Sequence, residues 1–178
     1  RVPHHITRVV ELLGALDFRG LSRQELDDYT HAYARRAQPM LDPRLVAPLE
    51  LAREKFDLPV GVISSGCRSG IEATMNMAGY GVDFICANDF WWDGDKTAGF
   101  RFNLTDNKLQ LLDMVLAEHN VDPADVMYIA DGPLDAECFG RVGWPVVSFF
   151  ASHRQRARFA RELGAFAPST QAEFQTHL

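Results

Sequence analysis

Three short stretches of the sequence carry side chains that could bind a phosphate group and a divalent cation. In the first, Ser64, Ser65 and Gly66 directly follow an apolar run of strand length. A hydroxyl together with the free N–H groups at a helix start makes a natural binding site for an anion. The same pattern is also typical of an ordinary strand-to-helix turn in which a serine caps the helix.

The second stretch contains a lysine, Lys108, near the start of a later predicted helix. If Thr105 caps that helix, the lysine falls in the first turn, where the helix dipole disfavours a cation and Asp106 compensates only in part. A lysine in such a place indicates an anionic ligand. A solvated surface lysine would give the same sequence pattern.

In the third stretch two carboxylates, Asp131 and Asp135, follow an apolar strand across a Gly-Pro turn. Carboxylate oxygens with few other ligands suit Mg²⁺, which keeps water and substrate phosphate in its coordination shell. The alternative is a turn in which Asp131 caps the next helix. The residue types alone do not separate these two interpretations.

Alternating strands and helices must position these side chains. Strands are predicted at residues 58–63, 82–87, 126–130, 145–150 and 165–166. Helices are predicted at residues 6–16, 22–37, 43–56, 68–77, 106–119, 136–142, 154–163 and from Ser169, with a hairpin at 88–104. This alternation predicts a doubly wound, Rossmann-like parallel sheet, in which ligands bind beyond the carboxyl ends of the strands. We therefore expect Ser64, Lys108 and the two aspartates to meet at one edge of the sheet.

In this order the three stretches resemble the haloacid dehalogenase-like phosphatases, and within them the phosphoserine phosphatase-like branch. The resemblance covers residues 42–178. The run from Ala130 to Asp135 is similar to the family's G-D-G-x-x-D motif, but it departs from that pattern at Ala130 and Leu134, where relatives often carry Gly and Asn.

The resemblance implies a Mg²⁺-dependent phosphatase that hydrolyses a small phosphomonoester through an aspartyl-phosphate. It implies that Asp131 binds the metal directly. Asp135 would support the coordination shell of the metal or would bind the metal through a water molecule. The residues it assigns are Ser64, Ser65, Gly66 and Lys108 for the phosphate, Lys108 and Asp131 for catalysis, and Asp131 and Asp135 for the metal.

The family's first motif, D-x-D-x-T or D-x-D-x-V after the first strand, does not open this sequence. Its first Asp would attack phosphorus and its second would act as general acid and base. The run from Asp93 to Thr97 matches the letters, but it follows no buried apolar strand, and its Asp-Gly pair predicts a hairpin turn. We expect the nucleophile upstream of residue 1, on a first central strand that this chain lacks, so that this chain alone is inactive. The alternative is a catalytically inactive ligand-binding or scaffold relative of the same fold.

The helical residues 1–41 resemble the small cap of the family, which leaves residues 42–178 as the phosphatase core. Caps close over a site, exclude water and select the substrate. Several side chains outside the three stretches could reach a substrate, although residues of this kind are more often solvated or packed. They are His4, His5, His31, Arg35 and Arg36 of the cap, together with Arg68, Trp91 and Trp92.

Composition excludes several other classes of protein. The formal net charge of −6 argues against a nucleic-acid partner, whose affinity would rest on Lys and Arg contacts to phosphates. No apolar run approaches the ~18 residues of a membrane helix.

Three scattered cysteines, Cys67, Cys86 and Cys138, are typical of a protein from the reducing cytoplasm. Neither G-x-G-x-x-G nor G-x-x-x-x-G-K-[ST] occurs, which argues against a nucleotide-binding module. The expected partner is a small phosphorylated substrate, and the sequence leaves the oligomeric state open.

Overall fold

The computed structural model of the chain describes residues 18–101 and 108–178. Within them the helices are α1 (Arg23–Ala37), α2 (Pro43–Phe56), α3 (Arg68–Ala78), α4 (Lys108–His119), α5 (Ala136–Phe139), α6 (His153–Leu163) and α7 (Gln171–His177). The strands are β1 (Gly61–Cys67), β2 (Phe84–Asp93), β3 (Lys96–Arg101), β4 (Met127–Ala130) and β5 (Trp144–Val147). These elements form two compact units, residues 18–41 with 59–101 and residues 42–58 with 108–178.

The first unit contains a three-stranded sheet in the order β1-β2-β3. β1 pairs in parallel with the first half of β2, and β3 pairs antiparallel with the second half, from Asp89 onward. Between β2 and β3 the chain turns at Gly94, whose φ of 57° is a conformation that glycine adopts without steric cost. The sequence predicts a strand that ends at Ala87 before a separate hairpin. That boundary is wrong, because β2 continues without a break through both pairings.

Helix α1 begins at the predicted capping box. The Ser22 hydroxyl accepts a hydrogen bond from the Glu25 N–H at 3.2 Å, and the Glu25 carboxylate accepts one from the Ser22 N–H at 2.8 Å. The buried side chains of the helix are Leu26, Thr30 and Ala34. The sequence instead predicts an apolar side that includes Tyr29 and Tyr33. Those rings are 54% and 50% exposed, although the Tyr33 ring lies against Gly70 of α3.

Aromatic rings form the core around the β2–β3 hairpin. The rings of Phe90 and Phe100 lie 4.9 Å apart, and Phe18 lies edge-on to Phe90 at 5.5 Å. The two tryptophans of β2 differ. Trp92 lies beneath the Arg23 guanidinium at 4.1 Å, whereas Trp91 is 53% exposed.

The second unit contains a two-stranded parallel sheet of β4 and β5. On the far side of β5, Phe166 makes a single parallel bridge to Val146, where the sequence predicts a short strand. β5 and α5 are both shorter than predicted, since β5 ends at Val147 and α5 ends at Phe139, before Gly140.

β1 and β4 are each paired on one side only within the described residues. Their apolar side chains are only half-buried, including Val62 and Ile63 in β1 and Ile129 in β4. Strands of parallel sheets are normally covered on both faces and read as continuous apolar runs for that reason. Among the described strands, the outer edges of β1 and β4 are therefore unpaired and are lined by half-buried apolar residues.

Behind β4 and β5 lies the apolar core of the second unit. Its buried members are Phe139, Val147, Ala151, Phe159 and Ala165. The Phe139 ring stands edge-on to the rings of Tyr128, at 5.9 Å, and Phe159, at 5.4 Å. Burial of each such ring stabilises the fold by about 1.5–3 kcal/mol, so this core holds Tyr128 firmly.

Gly143, just before β5, should tolerate no side chain. An added Cβ would lie 2.0 Å from the backbone carbonyl oxygen of Ala124, whereas at Gly140 the nearest atom is the Glu137 carbonyl oxygen at 3.6 Å. We expect Gly143→Ala to lower the free energy of unfolding by about 3 kcal/mol, because the backbone must shift. Thermal unfolding should show a midpoint about 6–12 °C lower. Gly140→Ala is the matched control, and equal midpoints for the two variants would contradict the close packing at Gly143.

The predicted fold class is confirmed: the chain is mixed α/β, with parallel strand pairs and helices between them. Cys67, Cys86 and Cys138 are thiols and not members of a disulfide. Every helix in the described ranges is too short or too polar to span a lipid bilayer. The division into a cap at residues 1–41 and a core at 42–178 stays a prediction.

Candidate active site

The serine loop, residues 64–66, follows the parallel part of β1 and leads into α3. The Ser64 Oγ accepts a hydrogen bond from the Gly66 N–H at 3.0 Å, which leaves the hydroxyl proton free to donate to a ligand. The N-cap of α3 is Cys67, and it makes no side-chain capping bond. The alternative of a serine that caps this helix is therefore wrong, and the first N–H groups of α3 have no side-chain cap.

A buried asparagine fixes the serine loop from the neighbouring strand. Asn88 is 1% exposed, and its Nδ2 donates a hydrogen bond to the Ser65 carbonyl oxygen at 2.6 Å. The hairpin that the sequence predicts from Asn88 onward does not include this contact. A polar side chain at the end of an apolar strand next to the serine loop was the signal that could have revealed it.

Lys108 and Asp135 form a partly buried ion pair in the second unit. The Lys108 Nζ lies 2.6 Å from the Asp135 Oδ1, and the two side chains are 19% and 4% exposed. The interpretation of Lys108 as a solvated surface residue is thus wrong, because its ammonium is held by a buried carboxylate. An ammonium has three donors, so two remain for a ligand after this bond. Thr105, the expected cap of this helix, and Asp106, expected to compensate the helix dipole in part, lie outside the described residues.

The same Asp135 oxygen accepts a second hydrogen bond, from the Tyr128 hydroxyl at 2.9 Å. Burial, followed by the nearby charge of Asp135, raises the pKa of Tyr128 far above its ordinary value. Burial also raises the pKa of the Cys138 thiol, which interacts with the Tyr128 hydroxyl. Both groups therefore stay protonated at neutral pH, and Tyr128 acts as a hydrogen-bond donor.

Asp131 is the first residue after β4, and it is exposed. No described residue forms an ion pair with its carboxylate or donates a hydrogen bond to it. The short helical turn Pro133–Asp135 that follows has Gly132 as its N-cap, so Asp131 does not cap it. The carboxylate is thus free for a ligand, in contrast to Asp135.

The donor chemistry around Asp131 fits a hard cation such as Mg²⁺, which takes one or two carboxylates and completes its shell with water and phosphate oxygens. Asp131 would hold such an ion. Asp135 fits the supporting role better than direct ligation, because its Oδ1 already accepts two hydrogen bonds. The described residues contain no group of three or more His, Cys, Asp or Glu side chains around a common centre.

The structure brings Lys108 and Asp135 into direct contact and places Asp131 on the same loop as Asp135. These three residues belong to the second unit, and the serine loop belongs to the first. Their roles in binding and catalysis stay predictions.

The run from Asp93 to Thr97 is a hairpin turn, as the sequence predicts. Asp93 is the last residue of β2 and pairs with Lys96 of β3. Thr97 is 1% exposed, and its side chain accepts a hydrogen bond from the Leu21 N–H at 2.9 Å. The residues that match the family's first motif in sequence therefore form the turn of a hairpin.

The remaining candidate residues are mostly surface groups. His31 and Arg35 lie on the exposed side of α1, in a shallow depression with Gln24 and Asp27. Arg68 forms an exposed ion pair with Glu72 at 3.2 Å, as expected for a solvated helix face. The remaining cap residue on α1, Arg36, bonds to the Ala32 carbonyl oxygen. His4 and His5 lie outside the described residues.

The sequence model of the haloacid dehalogenase-like hydrolase family matches residues 10–140. No curated protein matches the chain. Several solved structures share its fold. A phosphoserine phosphatase with an analogue of the phospho-aspartyl intermediate is 16% identical, with a TM-score of 0.59, over 90% of this chain and 72% of that one.

Two further solved structures are similar to the chain at the level of the fold. A substrate-bound phosphoserine phosphatase is 15% identical with a TM-score of 0.57, over 99% of this chain and 86% of that one. A hydrolase of the haloacid dehalogenase family from Salmonella enterica serovar Typhi is 16% identical with a TM-score of 0.60, over 89% of this chain. The chain spans 50% of that hydrolase's length.

Proposed function

Because the chain belongs to the haloacid dehalogenase-like hydrolase family, we propose that the intact protein is a Mg²⁺-dependent phosphatase acting on a small phosphomonoester. The observation that carries this proposal is the partly buried Lys108–Asp135 ion pair, together with Asp131 on the same loop, whose carboxylate has no partner among the described residues. A lysine held by a buried carboxylate is suited to binding an anion, and an unpaired aspartate is suited to binding a cation.

The serine loop is proposed to hold the phosphate group. The Ser64 hydroxyl has a free proton for a phosphate oxygen, and the uncapped start of α3 adds backbone N–H donors and a partial positive charge. Asn88 keeps the loop in place through its bond to the Ser65 carbonyl oxygen. Ser65 and Gly66 would contribute through their main chain, since both are exposed.

Lys108 is proposed to balance the negative charge that builds on the phosphate oxygens during transfer. Such a fixed donor, aimed where charge develops, is among the strongest catalytic devices of enzymes. Asp131 would hold the Mg²⁺, and Asp135 would support both by keeping the lysine in place. When bound, Mg²⁺ would lower the repulsion between phosphate and an attacking carboxylate.

The nucleophile is proposed to be an aspartate on a segment that precedes residue 1. Its carboxylate oxygen would form a bond to phosphorus as the bond to the leaving oxygen breaks, and water would then hydrolyse the aspartyl-phosphate. The open edges of β1 and β4 support this proposal. Each edge carries half-buried apolar residues, and a strand that paired with it would cover them and bond to N–H and C=O groups that no described strand pairs.

The test is the hydrolysis of p-nitrophenyl phosphate by the full-length protein. We expect turnover in MgCl₂ that stops on addition of EDTA and returns with excess Mg²⁺. Acid quenching during turnover should trap a phosphoenzyme that hydroxylamine cleaves, as an acyl phosphate requires. Turnover that survives EDTA would contradict the proposal. Absence of turnover together with binding of inorganic phosphate would favour the catalytically inactive relative.

A further inference from the structure

One carboxylate oxygen in the second unit receives two donors from different elements. The Asp135 Oδ1 lies 2.6 Å from the Lys108 Nζ, at the start of α4, and 2.9 Å from the Tyr128 hydroxyl, on β4. Asp135 itself is 3% exposed. Because the carboxylate is buried, water does not replace either donor readily, and the two bonds together fix its orientation.

The two donors differ in rigidity. The Tyr128 ring stands edge-on to Phe139 in the apolar core, and its residue pairs with Pro145 across the β4–β5 sheet. Lys108 reaches Asp135 through a flexible four-carbon side chain, which loses rotamer entropy when it is held in one position. The tyrosine is therefore the rigid partner, and the lysine takes its position from the carboxylate that the tyrosine holds.

We propose that Tyr128 is a positioning residue, whose hydroxyl fixes the Asp135 carboxylate and, through it, the Lys108 ammonium. The inference rests on the proposed function, because it assigns a purpose to the placement of Lys108. Tyr128 is not expected to touch the substrate. Its hydroxyl is directed at Asp135, and its ring packs in the core.

Tyr128→Phe removes the hydroxyl and keeps the ring that packs on Phe139. In the full-length protein we expect kcat for p-nitrophenyl phosphate to fall about tenfold, as for the loss of one hydrogen bond to a charged group. KM should change by less than about twofold, because correct placement of the lysine matters most where charge develops. Tyr80→Phe is the matched control, since no described residue is hydrogen-bonded to the Tyr80 hydroxyl.

A double-mutant cycle separates positioning from a general structural effect. If Tyr128 acts through Lys108, Tyr128→Phe should have almost no further effect on kcat in a Lys108→Met background. A purely structural role would reduce kcat by the same factor in both backgrounds, and that result would overturn the inference.

A second measurement does not depend on catalysis. Acetylation of the unliganded full-length protein by acetic anhydride, followed by mass spectrometry, reports how freely Lys108 moves. We expect several-fold faster labelling of Lys108 in Tyr128→Phe, with Lys96 unchanged as the internal reference. Faster labelling in a protein without phosphatase activity would support the positioning and reject the proposed function. Unchanged labelling would overturn the positioning, whether or not the protein is active.

Discussion

Asp131→Asn should abolish Mg²⁺-dependent turnover in the full-length protein, with kcat/KM for p-nitrophenyl phosphate falling at least ~10³-fold. The substitution keeps the size of the side chain and removes the negative charge that attracts the cation. Asp131 is exposed after β4 and has no partner among the described residues, so the fold should be almost unaffected. The thermal midpoint measured without Mg²⁺ should therefore stay within about 2 °C of wild type.

The matched control for this experiment is Asp93→Asn, which makes the same chemical change in the hairpin turn that resembles the family's first motif. We expect near wild-type kcat/KM for this variant. Undiminished activity in Asp131→Asn would refute the metal assignment. Loss of activity in Asp93→Asn would instead identify the hairpin aspartate as a catalytic group and reject an upstream nucleophile.

Lys108→Met should lower kcat/KM by about 10²–10³-fold, the usual cost of removing one donor that stabilises developing charge. Methionine keeps roughly the length of the side chain. It also leaves the Asp135 carboxylate buried with the Tyr128 hydroxyl as its hydrogen-bond donor, so the thermal midpoint should fall as well. Kinetics must therefore be measured at a temperature where both proteins are folded, as judged by circular dichroism.

Two further variants test whether the charge and the position of Lys108 account for the loss of activity. Lys96→Met is the matched control, because Lys96 is exposed and its ammonium lies 3.9 Å from the Glu25 carboxylate. Lys108→Arg keeps the charge and should recover part of the activity. Equal kcat/KM in Lys108→Met and wild type would remove the lysine from the mechanism.

Local signals in the sequence predicted much of the fold. Ser22 and Glu25 are three residues apart, and the reciprocal hydrogen bonds that begin α1 involve only these two residues. The start of α2 at Pro43 and the start of α3 at Arg68 were predicted for the same reason, because local residue types specify a helix start. Which side of α1 is buried depends on the partner helix, so the exposed positions of Tyr29 and Tyr33 were not predictable from periodicity.

In the candidate site, too, residue types were predictable from the sequence and tertiary contacts were not. Lys108, Asp131 and Asp135 were identified from residue type and position along the chain, but their contacts were not. Lys108 and Asp135 are separated by 27 residues, and only the packing of α4 against the loop after β4 decides that they pair. Asn88 was missed because its partner, the Ser65 carbonyl oxygen, is a main-chain atom that no residue type reveals.

The open edges of β1 and β4 also have a practical consequence. A strand edge recognises an incoming segment mainly through main-chain hydrogen bonds, and a covalent link to that segment is not required. The proposed function therefore predicts reconstitution in trans, in which a synthetic peptide with an apolar strand and an aspartate is added from solution. A phosphatase assembled from two such pieces would become active only when both are present, which is the behaviour sought in a split reporter.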